Sequence, residues 1–412
     1  MKINKHTLSN GLRLVHHEDT STQMVALNIV YDVGARDEHP DHTGFAHLFE
    51  HLMFGGSVHI PDYDTPLQLA GGENNAWTNN DITNYYLTVP KPNVETAFWL
   101  ESDRMLELAF SQQSLEVQRG VVMEEFKQRC LNQPYGDVGH LIRSLAYRVH
   151  PYRWPTIGKD LSHIEQATLE EVKTFFYRHY APNNAVLAVT GNISWDETVR
   201  LTGKWFAPIP WREVPVRQLP QEPEQTEERR MTVERNVPLD ALFMAYHMCS
   251  REDADYYAFD ILSDILSNGR SSRLTRRLVQ EQKIFSSIDA YISGTRDAGL
   301  LFVNGKPAAG VSLEQAEDAV RRELEELRQS FIGDQELEKV KNKFESTQIF
   351  GNINYLNVAT NLAWYELIGQ AEDIDREVGR YRSVTPEQLH TVARRAFRDE
   401  NRVVLYYKKG VE

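Results

Sequence analysis

A chain of 412 residues is too long for one ordinary core, so two domains of about 200 residues each are expected. With 41% hydrophobic and 25% charged residues and no low-complexity block, the composition is that of a globular protein, not a disordered or fibrous one. The net charge of −14 argues against a nucleic-acid binder, which would carry a basic face.

In chain order, the opening MKINKHTLSNGLRLVHHEDT has no apolar run long enough for a signal-peptide core. No later stretch approaches the ~20 apolar residues of a membrane span. The expectation is a soluble, cytoplasmic protein that binds neither nucleic acid nor membrane. The two cysteines, Cys130 and Cys249, are far apart, build no disulfide framework and read as buried thiols. Segment 25–38, VALNIVYDVGARDE, reads as a strand running into a turn.

The next stretch, GFAHLFEHLMFGGS at 44–57, has a helical pattern from Phe45 to Phe54, which Gly55-Gly56 stops. His47 and His51 stand four residues apart, so both imidazoles lie on one helix face, one turn apart. That spacing suits one tetrahedral zinc ion. Glu50 lies on the same edge, placed to reach a water on the metal without ligating it. The order is HxxEH, the reverse of the commoner HExxH. Leu48, Phe49, Leu52, Met53 and Phe54 make this helix mostly buried, and buried histidines need partners.

A catalytic zinc needs a third protein ligand and an open position. Residues 114–131, SLEVQRGVVMEEFKQRCL, form a helix whose inward stripe is Leu115, Val122 and Phe126. Glu125 lies on the shoulder of that stripe and Glu124 points to solvent, so Glu125 is the candidate ligand. Gln118, two turns earlier on the same side, is placed to orient Glu125 or a ligand histidine. The remaining histidines, among them His16, His17, His42, His59, His140 and His150, lack paired spacing and read as surface or packing residues.

Further along, TLEEVKTFFYRHYAPNNAVLAVTG from Thr168 gives a threonine N-cap, a helix, an Asn-containing turn and an apolar strand. TPEQLHTVARRAFRDENRVVLYYKKG from Thr385 repeats that order, with Asn184 and Val186 matched by Asn401 and Val403. Likewise DALFMAYHMCSRED at 240–253 repeats 25–38, and Ala26, Leu27, Tyr31 and Arg36 match Ala241, Leu242, Tyr246 and Arg251. The chain therefore reads as a duplicated domain. Residues 1–210 form a metal-bearing copy and 231–412 a copy without the site. Between them, 211–230 is an extended, solvated linker rich in Pro, Gln and Glu. The expected fold class is α+β: two homologous domains, each a mixed, largely antiparallel sheet packed with helices. In the second copy, YYAFDILSDILSNG at 256–269 aligns with the metal helix and has no histidine.

These motifs identify a resemblance to the pitrilysin family of inverzincin zinc metallopeptidases, and to its half-length members of the mitochondrial processing peptidase type with their bacterial relatives. It covers nearly the whole chain: TLSNGLRLV, HLFEH, GGENNAWTNNDITNYY, RGVVMEEF, HYAPNNAVLAVTGNI and LSNGRSSRLTRRLVQEQ. The resemblance implies a zinc endopeptidase whose two domains form half of a clam-shell chamber and which cuts short or unfolded peptides. It implies Zn2+ held by His47, His51 and Glu125, with Glu50 as general base. It also implies that Asn75 and Ala76 lie on a strand edge that holds the substrate peptide by backbone pairing. From the residues alone, Asn75 reads equally as a turn residue after the Gly-Gly loop.

Two departures stand out. The family commonly has a glutamate where this chain has Gln118. Many members also carry an arginine and, seven residues on, a tyrosine that bind and polarise the substrate; here Val279 and Ser286 occupy those places, and Arg277, Tyr291 and Arg296 are out of register. The expectation is a heterodimer in which a related subunit without zinc supplies that pair, with a homodimer working without it as the alternative. A non-catalytic structural subunit of the same family is the competing reading.

Overall fold

The computed structural model describes residues 1–410. The first half runs β1 (Asn4–Thr7), β2 (Arg13–Glu18), β3 (Met24–Tyr31), α1 (Phe45–Leu52), α2 (Asp64–Leu69), β4 (Glu73–Thr78), β5 (Thr83–Pro90), α3 (Val94–Leu106), α4 (Gln112–Phe126), α5 (Val138–Ala146), α6 (Leu161–Glu165), α7 (Leu169–His179), β6 (Ala185–Gly191) and α8 (Trp195–Phe206). The second half runs β7 (Arg229–Arg235), β8 (Ala241–His247), α9 (Tyr256–Ser267), β9 (Phe285–Ile292), β10 (Leu300–Pro307), α10 (Leu313–Gln329), α11 (Asp334–Gly351), α12 (Tyr355–Ile368), α13 (Glu377–Ser383), α14 (Pro386–Ala396) and β11 (Arg402–Lys409). No helix among the described residues is long and apolar enough to cross a membrane.

The strands form two sheets, ordered β1-β2-β6-β3-β5-β4 and β7-β11-β8-β10-β9. One parallel pair opens each common core, β2 with β6 and β7 with β11, and the rest is antiparallel. The α+β class is therefore as expected, and the two sheets share one topology. Register agrees as well. Val30 faces Val186 in the first sheet, and at the matched positions Ala245 faces Val403 in the second.

Asn184 donates its amide to the carbonyls of Asp32 and His179. Asn401 donates to the carbonyls of His247 and Ala396, at the equivalent places. Both side chains tie the turn after a helix to the end of a strand, because the carbonyls left over there have no ladder partner. Thr168 and Thr385 cap α7 and α14 by accepting from the N–H three residues on, as their sequences predict.

The chain divides into two compact units that do not follow the order 1–210, 211–230 and 231–412. One unit joins Met1–Lys127, Trp154–Leu219 and Gln348–Arg376; the other joins Gln128–Arg153, Pro220–Thr347 and the segment from Glu377. Each half thus lends a helix to the other's unit. The exchange is symmetric: α12 packs on β2, β3 and β6, and α5 on the matching β7, β8 and β11. The cause is burial. Each sheet has two apolar faces, and the helices of its own half cover one of them. Val358, Ala359, Leu362 and Ala363 of α12 cover Val15, Ala26, Val30 and Val186 on the second face of the first sheet. Ile142 and Ala146 of α5 do the same for Ala245, Val403 and Leu405.

From 211 to 228 the linker has no regular structure, and its last two residues open β7; it is pinned and not simply solvated. Arg212 donates to the carbonyls of Tyr180 and Leu106, and Arg217 pairs with Asp32 and Asp37 in the first unit. Glu222 accepts from the N–H groups of Arg148, Val149 and His150, and buried Gln225 donates to the carbonyls of Glu400 and Arg402 in the second. Polar residues that look like a solvated stretch in one dimension here satisfy backbone groups at the unit surfaces. Cys130 is buried as expected, whereas Cys249 is only half-buried; both are free thiols.

Candidate metal centre

Helix α1 begins after Gly44, which has φ of 86°, a left-handed conformation that favours glycine. A Cβ there would meet the carbonyl oxygen of Ile157 at 2.9 Å. With no capping side chain at Gly44, the first N–H groups of the helix need another acceptor. Glu38 supplies it. The Gly44 N–H donates to its Oε2 at 3.0 Å, the Ala46 N–H to its Oε1 at 2.8 Å, and the Trp154 indole N–H to Oε2 at 3.1 Å. Burial pushes the Glu38 carboxyl up to about 8, against the three N–H donors that hold it down. All three partners are donors and lie at or beside a helix N-terminus, an arrangement that suits the anion.

The apolar face of α1 is set by Phe49, whose ring lies 4.5 Å from that of Tyr180 and 5.4 Å from that of Phe175. This fixes the opposite face. There the His47 and His51 rings stand 4.9 Å apart and nearly perpendicular. Helix α4 packs against α1 with Leu115, Val122 and Phe126 buried, which is the stripe read from the sequence. Glu125 Oε2 comes to 3.5 Å from His47 Nε2 and 3.4 Å from His51 Nε2. Glu124 points outward and pairs with Lys127.

Ligand bonds of about 2.0–2.2 Å at tetrahedral angles place donor atoms about 3.3–3.5 Å apart, so these separations suit one zinc ion. Among the described residues, no other three His, Cys, Asp or Glu donors converge in this way. His47 is buried while His51 and Glu125 remain partly open, which leaves one side of the triad accessible.

Glu50 is half-buried on the same helix. Its charge reaches the hydroxyls of Tyr85 and Tyr180, which lie 3.4 Å apart. Both phenols are held well above their usual range, first by burial and with Glu50 adding to it. The sequence reading missed Glu38, Trp154, Tyr85 and Tyr180 around this helix. None has helical spacing to the histidines; the one available signal was the lack of a capping residue before Phe45.

Gln118 is half-buried, yet its amide makes no hydrogen bond to Glu125 or to either histidine among the described residues. Asn75 and Ala76 lie within β4, the edge strand of the first sheet, and not in the preceding turn. The Ala76 N–H bonds to Asn75 Oδ1 at 2.8 Å rather than to β5. In an antiparallel pair this turns the main-chain groups of Ala76 toward the open edge.

In the second unit, Val279 and Ser286 leave the arginine and tyrosine places unfilled. The nearby candidates are engaged elsewhere. Arg277 pairs with Glu323 and Glu326, Arg296 pairs with Glu252, and the Tyr291 hydroxyl accepts from Asn304.

The family described as "Insulinase (Peptidase family M16)" matches residues 13–160, and the one described as "Peptidase M16 inactive domain" matches 166–344. The chain is 27% identical to "Zinc protease PqqE" of Helicobacter pylori, over 98% of this chain and 92% of that protein. It is 25% identical to a probable mitochondrial-processing peptidase subunit beta of Arabidopsis thaliana, over 83% of this chain and 66% of that one. Among solved structures, a protease from Helicobacter pylori superposes with a TM-score of 0.93 at 26% identity, over 99% of both chains.

Proposed function

The chain belongs to the M16 (insulinase/pitrilysin) peptidase family, and from that premise we propose that it is a zinc-dependent endopeptidase acting on short or unfolded peptides. The observation that carries this reading is the convergence of His47, His51 and Glu125 beside Glu50 on one accessible helix pair. A degenerate, purely structural subunit has no need of that set. His47, His51 and Glu125 would hold the ion. When bound there, zinc supplies Lewis acidity that makes water a nucleophile near neutral pH and polarises a scissile carbonyl. Glu50 takes the proton of the attacking water and delivers it to the leaving amine. The open edge of β4 at Ala76 pairs with an extended peptide backbone, which favours unfolded chains over compact ones.

The missing arginine and tyrosine support a further part of the proposal: a homologous subunit without zinc supplies them, in a heterodimer. A homodimer that works without the pair is the alternative. A non-catalytic subunit is the second reading, favoured by the same unfilled places.

The zinc-loaded chain, assembled with the homologous subunit, is expected to cleave a quenched unstructured peptide, to lose that activity to a chelator and to leave a compact folded protein intact. Rapid cleavage of a folded protein would contradict the edge-pairing part. A homodimer with full activity would rule out the heterodimer. A chain that holds zinc and cleaves nothing, alone or with any co-purifying homologue, would favour the structural reading.

A further inference from the structure

Away from the triad, the 37–45 loop and helix α7 enclose a cleft of about 300 Å³, at the lower end of the range of small-molecule sites. Its apolar floor is Phe45 and Phe175, with ring centroids 6.4 Å apart. His179 lines it and is only 7% exposed, and its ring makes no hydrogen bond among the described residues. Burial lowers the imidazole to about 4, so near neutral pH it is uncharged, with one donor and one acceptor to offer. Although the residue is mostly buried, its ring nitrogens stay accessible, so an occupant of the cleft can meet them.

Most charges around the cleft are already answered. Asp37 pairs with Arg217 at 2.6 Å, Glu38 caps α1, His42 lies 3.2 Å from Glu171, and Glu170 lies 3.2 Å from Lys173. Arg178 is the exception. It is exposed at the rim, near enough for its charge to act on His179, and has no ion pair among the described residues.

We propose that this cleft binds a free α-amino acid with a large apolar side chain. The carboxylate pairs with the Arg178 guanidinium and bonds to the His179 ring. The side chain lies on Phe45 and Phe175, and the ammonium faces the carboxylates of exposed Glu170 and half-buried Glu171, displacing Lys173 and His42 as their partners. A plain anion meets those two carboxylates, and a plain cation meets Arg178; a zwitterion with an apolar body meets neither conflict. The cleft is not a second metal site, because its donors do not converge as the triad does. Phe45 is the first residue of α1 and Glu38 is its cap, so an occupant touches the support of the metal helix. Binding here is independent of whether the chain cleaves peptides.

Calorimetric titration of the full chain with L-phenylalanine tests this. Saturable binding of one molecule per chain is expected, at least about tenfold weaker for 3-phenylpropionate, which lacks the amine, and for 2-phenylethylamine, which lacks the carboxylate. Arg178→Ala is expected to weaken binding by at least about tenfold. Thr174→Trp, at an exposed position on the cleft wall, is expected to fill the cleft and abolish binding with the circular dichroism spectrum unchanged. The proposal fails if neither L-phenylalanine nor L-leucine binds at millimolar concentration. It fails equally if binding is the same in both variants, or if titration shows a second zinc per chain that His42→Ala removes.

Discussion

The two units place the same five core strands in the same order, tie the same turn with Asn184 or Asn401, and cap the same helix with Thr168 or Thr385. Yet the helix that follows the matched strand carries His47, Glu50 and His51 in the first unit, and Asp260 and Asp264 in the second. Matched Arg36 pairs with buried Asp81, whereas Arg251 pairs with Glu377. Half-buried Asp260 is met by the Tyr381 hydroxyl and not by donors that could share an ion. The lesson is that sheet, register and latch form a scaffold that stands without the triad, and that the three converging donors sit on α1 and α4 of the first unit.

The sharpest way to break this comparison is at α4. Glu125→Gln is expected to weaken zinc binding by more than about 100-fold, since loss of an outer-sphere partner alone costs 10–100-fold. Glu124→Gln, one residue away on the solvent side, should leave zinc content unchanged. The check is metal titration, with one zinc per wild-type chain. Equal loss in both variants, or a second zinc held by the other unit, would break the assignment.

Next come the latches. Asn184→Ala and Asn401→Ala each remove two hydrogen bonds to strand and helix-end carbonyls, and each should cost about 1–3 kcal/mol in denaturant unfolding. Similar costs are expected because the geometry is repeated; a large cost at one site and none at the other would mean the two copies are not equivalent in energy.

Glu38→Gln turns an acceptor toward three donors into a group that also donates, at a predicted cost of about 1–3 kcal/mol, read in the same experiment. It should also weaken zinc binding, which the Asn401 variant should not. A fully stable variant with unaltered zinc affinity would remove Glu38 from the support of α1.

A pH-dependent effect belongs to Asp260, which burial pushes up to about 6 from an ordinary value of 3.8. Its folded pKa lies above its unfolded one, so its contribution is fully present below pH ~4 and is lost as pH rises through ~6. Asp260→Asn should remove that slope and stabilise the protein near pH 7, by at most roughly 3 kcal/mol. An unchanged pH profile would mean that the Tyr381 hydroxyl and nearby Arg251 offset the burial.

Much of the scaffold was legible in one dimension because it is local. The metal helix, the inward stripe Leu115–Val122–Phe126 and the threonine caps follow from spacing within one element, and the matched strands follow from repeated short segments. The exchange of α5 and α12 was not legible. Each helix shows an apolar face, but nothing local states which of two similar sheets it covers. Glu38 and the Tyr85–Tyr180 pair escaped for the same reason, since each reaches α1 from a distant element or through a loop. Gln118 shows the converse: correct helical phase placed it on the right side, but phase does not set whether an amide reaches its neighbour.

The central claim, that catalysis resides in α1 and α4 of the first unit with Glu50 as general base, is tested most directly by one paired measurement. Cleavage of a quenched unstructured peptide and zinc content are compared for the wild type and Glu50→Gln, each in whatever assembly is active. The expected result is unchanged zinc with cleavage reduced by about 10²–10⁴-fold. A Glu50→Gln variant that keeps its zinc and cleaves like the wild type would contradict the account.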